Sequence, residues 1–110
     1  MSVVVSDTSP IRALAHLGHL SILHDLFGEV LIPPAVAAEL EQPRSRFAAV
    51  PVDSLSFFRV QTPHNHPMLE ELLSTLGPGE AEALTLAVEV HADAVLIDES
   101  SGRAAARRSG

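Results

Sequence analysis

The sequence predicts an α/β protein built on a central parallel sheet of about four strands, and three observations carry that prediction. Its first strand-like run, Val3 to Val5, is short, β-branched and without polar alternation, as expected of a strand buried on both faces. Helical patterns separate the strand-like runs, which implies crossovers rather than hairpins. Two of the runs end in an acid, Asp7 and Asp98, at the carboxyl ends where parallel sheets place their ligands.

Val3, Val4 and Val5 form the first run. Ser9 and Pro10 read as the N-cap and first residue of a helix that carries Ile11, Leu14 and Ala15 and ends at Gly18. LSILHDLFG predicts a second helical piece, with Leu20, Leu23, Leu26 and Phe27 on one stripe and a stop at Gly28. A second strand follows at Val30 to Ile32, closed by Pro33 and Pro34, and a proline opens the short helix in PAVAAELEQ. Residues 42 to 56 have a loop-like start at Pro43 to Arg46, while FAAVPVDSL leaves helical and irregular readings open. Phe57 to Gln61 predicts a third strand, broken by TPHNHP. MLEELLSTLG predicts a helix with Met68, Leu69, Leu72, Leu73 and Leu76 inward. After Gly77, Pro78 and Gly79, EAEALTLAVEVHA predicts a stronger helix, and Ala94 to Ile97 a fourth strand ending at Asp98. SGRAAARRSG reads as a final, arginine-rich helix.

The length, 110 residues, is that of a single domain spanning 1–110, and 46% apolar against 19% charged residues suits a packed core. No segment approaches the roughly 18 apolar residues of a membrane span. No basic leader precedes a short apolar stretch at the N-terminus, so a cytoplasmic protein is expected. The absence of cysteine excludes a disulfide framework and thiolate chemistry, leaving oxygen and imidazole as metal ligands. Fourteen acids against seven arginines, with no lysine, give a net charge of -7, which on bulk charge argues against a nucleic-acid binder. Acids gathered around a divalent cation would reverse the local sign and permit action on phosphodiesters. The alternative is that they only solvate the surface.

The acids differ in how far their settings point to chemistry. Asp7 follows a strand and precedes a helix, where it either caps the helix or faces a ligand. Asp98, followed by Glu99, repeats the arrangement. Glu39 sits on an otherwise apolar short helix, where an unpaired buried carboxylate would cost several kcal/mol, so a partner or a cation is expected unless it faces water. Glu80 and Glu82 share the first turn of a helix, but residues two apart project about 200° apart, so one at most points fully inward. Helical phase favours Glu80, which aligns with Ala83, Leu84, Ala87 and Val88, whereas spacing to the following strand favours Glu82. His64 and His66 have a chelating spacing or belong to an exposed loop, and His16, His19 and His24 read as core-edge residues. GPGE lacks the lysine and spacing of a phosphate-binding loop.

Taken in order, DTSP after the first strand, EVLIPPAVAAEL, GEAEAL and LIDESSGR resemble the PIN-domain superfamily, and in particular short prokaryotic PIN-like proteins related to VapC-type toxins. The resemblance runs from residue 3 to residue 110. It implies a PIN-like three-layer α/β/α fold and a divalent-metal-dependent endoribonuclease that hydrolyses RNA with Mg²⁺ or Mn²⁺. It further implies a toxin restrained by an antitoxin protein, with homodimers common. Carried over residue by residue, the metal-holding acids are Asp7, Glu39, Glu82 or Glu80, and Asp98, with Glu99 as an extra ligand and Ser9 as the hydroxyl that assists the first acid. Aligning HADAVLID on the fourth strand selects Glu82, whereas the family's acid-to-acid spacing selects Glu80. Members of the family continue past the arginine-rich helix with a further strand and helix, whereas this sequence stops at Gly110. Truncation would leave the fourth strand an open edge, and a catalytically inactive interaction module is therefore the alternative function. A phosphoryl-transfer reading, with Asp7 as nucleophile, lacks the second acid two residues on and a late lysine.

Overall fold

The computed structural model describes residues 2–97. Within them, four three-residue strands form one all-parallel sheet: β1 (Val4–Ser6), β2 (Val30–Ile32), β3 (Phe58–Val60) and β4 (Ala94–Leu96), in the order β3-β2-β1-β4. Five helices connect them: α1 (Thr8–His16), α2 (Ser21–Phe27), α3 (Pro34–Leu40), α4 (His66–Leu73) and α5 (Pro78–Glu89). The chain moves outward from β1 through β2 to β3 and then crosses back to place β4 on the other side of β1. The strand order therefore reverses between β1 and β4, and a ligand crevice is expected at their carboxyl ends.

Register explains why the valine runs carry no polar alternation. Val4 lies opposite Val30 and Val5 opposite Leu31, so each pair of neighbours feeds both faces of the sheet. Val30 and Ile32 join Ile11, Leu23, Val36 and Leu40 on one face, while Val5 and Leu31 meet Ala83 and Leu86 of α5 on the other. Helices thus cover both faces of the sheet, giving the PIN-like three-layer α/β/α architecture.

Three local expectations change. Asp7, not Ser9, is the N-cap of α1: its backbone is extended and its side chain accepts from the Thr8 N–H at 2.7 Å. Pro10 then falls in the first turn, where a missing N–H costs nothing. Leu26 is 68% exposed, because the seven-residue α2 places only Leu23 fully in the core. Leu73 is also exposed, and no residue of α4 is fully buried, since α4 packs against α5 rather than the sheet.

The stretch left open by the sequence resolves into a tight turn and a 3₁₀ turn. Arg44 and Phe47 exchange both backbone hydrogen bonds, each 2.9 Å, around Ser45 and Arg46. Residues Val52–Ser54 form the 3₁₀ turn, and Val50 and Val52 complete the core. The arginine-rich segment at 101–110 lies outside the described residues.

Candidate active site

A cavity of about 820 Å³ opens beside the carboxyl end of β1, lined by Asp7, Thr8, Arg12, Glu39, Gly79 and Glu80 among others. Each of its acids is placed by a different element. Asp7 is carried by the first residue after β1, where its own N–H donates to the Leu96 carbonyl of β4 at 2.8 Å. That bond fixes the acid across the line where strand order reverses, and leaves it only 8% exposed. Glu39 comes from the last turn of α3, which lies against both α1 and α5. Glu80 enters from the first turn of α5.

Gly79 shows how closely two of these carboxylates converge. A methyl group added there would meet Glu39 Oε2 at 3.0 Å, Glu39 Oε1 at 3.1 Å and Asp7 Oδ1 at 3.1 Å. Oxygens from two acids thus surround one point beside the α5 backbone, and only glycine leaves that point open. Two ionised carboxylates held this way repel each other, and the repulsion is relieved by a cation.

Glu39 is gripped from a single face of α1. Thr8 and Arg12 are four residues apart and so lie one above the other on that helix. The Thr8 hydroxyl donates to Glu39 Oε2, while Arg12 Nη2 donates to the Glu39 carbonyl and, at 2.8 Å, to the Gln42 carbonyl. Arg12 is 7% exposed and adds a second donor to the Glu39 carbonyl, which also accepts from the Gln42 N–H at 3.2 Å. One helix thereby holds both the backbone and the carboxylate of an acid supplied by another.

Of the two candidates on α5, Glu80 lines the cavity. Glu82, the other candidate, is turned to α3: its Oε1 accepts from the Ala35 N–H at 3.1 Å, capping α3, whose N-cap Pro33 offers no side-chain acceptor. Two residues of helix separate them by more than half a turn, so one acid reaches the cavity and the other the neighbouring helix. Ser9 lines the cavity, but the hydroxyl bonded to an acid is that of Thr8. Ile97 also lines the cavity; Asp98 and Glu99, which follow it, lie outside the described residues. His64 and His66 are exposed near the start of α4 and belong to no group of three or more potential metal ligands among the described residues.

Sequence reasoning missed Thr8, Arg12, Gly79 and the pair Arg44 and Phe47, both of which line the same cavity. The spacing of Thr8 and Arg12 was a usable signal, although nothing local identified Glu39 as their common target.

A parallel α/β sheet with carboxylates gathered where its strand order reverses defines a candidate ligand site at the carboxyl end of β1. A family model of the PIN domain matches residues 3–110, and the chain belongs to that family. No curated protein and no solved structure shows significant similarity to it. PIN domains generally use divalent metals. Among the described residues no group of three acids or histidines is arranged to hold a metal ion. The donor chemistry fits such an ion nonetheless, since Mg²⁺ takes one or two carboxylates and keeps several of its waters. Asp7 and Glu39 supply that pair, and no helix among the described residues is long and apolar enough to cross a membrane.

Proposed function

We propose that this protein is a divalent-metal-dependent ribonuclease in which Asp7 and Glu39 hold a Mg²⁺ or Mn²⁺ ion, with Glu80 beside them and Asp98 as the further acid that the family resemblance implies. The observation that carries this reading is the convergence of the Asp7 and Glu39 oxygens on the space kept open by Gly79. When bound, such an ion would acidify a water, orient it and offset charge on the leaving oxygen. The chain's own part is to place the acids. Asp7 is fixed by its backbone bond to β4 and its cap on α1, and Glu39 by Thr8 and Arg12. The recessed position of Asp7 keeps bulk water from competing for the site. A toxin role under control of an antitoxin belongs to the same reading and rests on the resemblance alone.

Purified protein is expected to cleave single-stranded RNA with Mg²⁺ or Mn²⁺, to stop on addition of EDTA and to lose activity in Asp7→Asn. Cleavage that survives Asp7→Asn removes this site from the reaction. No cleavage by wild type with either metal leaves the rival, a nuclease-like fold retained as an interaction module.

A further inference from the structure

The arginines of this acidic chain are not spread evenly. Four lie among the described residues, and three of them, Arg12, Arg44 and Arg46, line the acidic cavity or a smaller one of about 280 Å³ that shares Arg12 with it. The fourth, Arg59, stands apart on β3, 3.7 Å from Glu29. Cations beside a cluster of acids weaken the attraction of that cluster for a metal ion. Arg12 is engaged by the Glu39 and Gln42 carbonyls, and the placement of the exposed Arg44 and Arg46 is explained if a polyanion has to be held beside the acidic cavity.

The turn that carries two of them is built to be rigid. Arg44 and Phe47 face each other across reciprocal backbone hydrogen bonds, so their side chains leave on the same side, and both line the acidic cavity. Ser45 at the first turn position has φ +55°, a left-handed conformation that glycine usually fills. Arg46 lies over the Phe47 ring, with its guanidinium carbon 5.3 Å from the centroid. Arg12 anchors the base of the loop through the Gln42 carbonyl, with the same guanidinium nitrogen that holds Glu39. Neither Arg44 nor Arg46 is paired with a carboxylate among the described residues.

We propose that the 44–47 turn is a single-strand RNA clamp: Arg44 and Arg46 hold phosphates flanking the bond at the acidic site, and Phe47 forms the wall against which an unpaired base lies. The inference rests on the ribonuclease reading and names the residues that would hold its single-stranded substrate. A single strand is favoured because Asp7 is recessed, and a duplex holds its phosphates on a broad outer surface that cannot descend into the cavity. Cationic grooves with an aromatic surface bind single strands with little sequence preference.

The test is binding of a fluorescently labelled 12-nucleotide RNA, single-stranded or annealed to its complement, followed by anisotropy in EDTA so that no cleavage occurs. Wild type is expected to bind the single strand several-fold more tightly than the duplex. Arg44→Ala and Arg46→Ala are each expected to weaken single-strand binding several-fold and to reduce the slope of log K against log salt by about 0.7 per lost phosphate contact. Arg59→Ala is expected to bind as wild type does. Single-strand binding unchanged in the Arg44→Ala, Arg46→Ala double variant, or a duplex bound as tightly as the single strand, overturns the clamp. Because these side chains are exposed, thermal melting of each variant should match wild type, which separates lost contacts from lost fold. Failure of the ribonuclease reading looks different: wild type binds the strand through the turn but leaves it intact in Mn²⁺.

Discussion

Gly79→Ala isolates the geometry on which the metal site depends. The added methyl would stand 3.0 to 3.1 Å from three carboxylate oxygens, closer than ordinary van der Waals contact, so Asp7 and Glu39 would have to retreat by a few tenths of an ångström. Neither acid is free to do so cheaply, because Asp7 caps α1 and Glu39 is bonded by Thr8. Overpacking of this kind costs about 1–3 kcal/mol, against which alanine gains up to about 1 kcal/mol of helix propensity over glycine. The metal-free protein is therefore expected to lose between about 0 and 3 kcal/mol. The decisive readout is the response to metal. At a Mn²⁺ concentration 100 times Kd, binding stabilises wild type by about 2.7 kcal/mol, which for a chain of this size raises Tm by on the order of 10 °C. An apolar methyl at the centre of the donor oxygens should remove most of that rise at the same metal concentration. Gly77→Ala is the matched control: Gly77 also lines the cavity, yet a methyl there meets nothing within 4 Å. It should lose up to about 1 kcal/mol as an altered N-cap and keep the full metal response. Differential scanning fluorimetry across a Mn²⁺ titration reads both variants. A full metal-induced rise in Gly79→Ala would refute the convergence of Asp7 and Glu39 as the basis of the site.

Asp7→Asn keeps an acceptor for the α1 cap while removing one of two like charges that converge on the space beside Gly79. Its metal-free Tm should equal or exceed that of wild type, and the rise with Mn²⁺ should vanish; a lower metal-free Tm would show that the acid is stabilising rather than strained. Arg12→Met preserves the apolar stem but loses the bonds to the Glu39 and Gln42 carbonyls, at an expected cost of about 2–4 kcal/mol by urea denaturation. A loss under about 1 kcal/mol would mean that the guanidinium does not secure α3. Glu82→Gln should give up no more than about 1 kcal/mol through a weaker cap on α3 and retain the metal response, whereas Glu80→Gln should reduce it. The reverse pattern in the two titrations would exchange their roles.

The elements with strong local chemistry were legible. Val30 to Ile32 is an uninterrupted apolar run between Glu29 and two prolines, and the strand occupies those three residues with α3 opening at Pro34. Asp7 and Glu39 stood out because a carboxylate at a strand end, or on an apolar helix, is expensive without a partner. What stayed hidden was set by contacts between distant segments. Whether Thr8 or Ser9 meets Glu39 depends on where α1 begins, and Asp7 decides that by capping one residue earlier than the Ser-Pro pair suggests. For Glu80 and Glu82, helical phase carried the relevant information, because radial direction on a helix follows rotation, whereas spacing to the next strand reports only distance along the chain. The 44–47 turn lacks the Asn-Gly or Gly signal of such turns, since Ser45 itself takes the left-handed conformation.

Net charge was the sequence feature most at odds with a nucleic-acid substrate, and location decides how much weight it carries. At physiological ionic strength the Debye length is about 8 Å, so acids on remote surfaces contribute little to the potential at the cavity mouth. Asp25, Glu29, Glu70 and Glu71 belong to α2, the approach to β2 and α4, none of which lines either cavity. Around the acidic cavity the balance is between the acids of the metal site and Arg12 and Arg44, with Arg46 on the smaller cavity that shares Arg12. A divalent ion adds two positive charges to that balance and moves it toward phosphate binding without changing the rest of the protein. RNA affinity should then rise on replacing EDTA with Ca²⁺, a divalent ion that takes the same hard oxygen ligands. The rise should be smaller in Asp7→Asn, while a rise of equal size in that variant would place the added ions elsewhere on the surface.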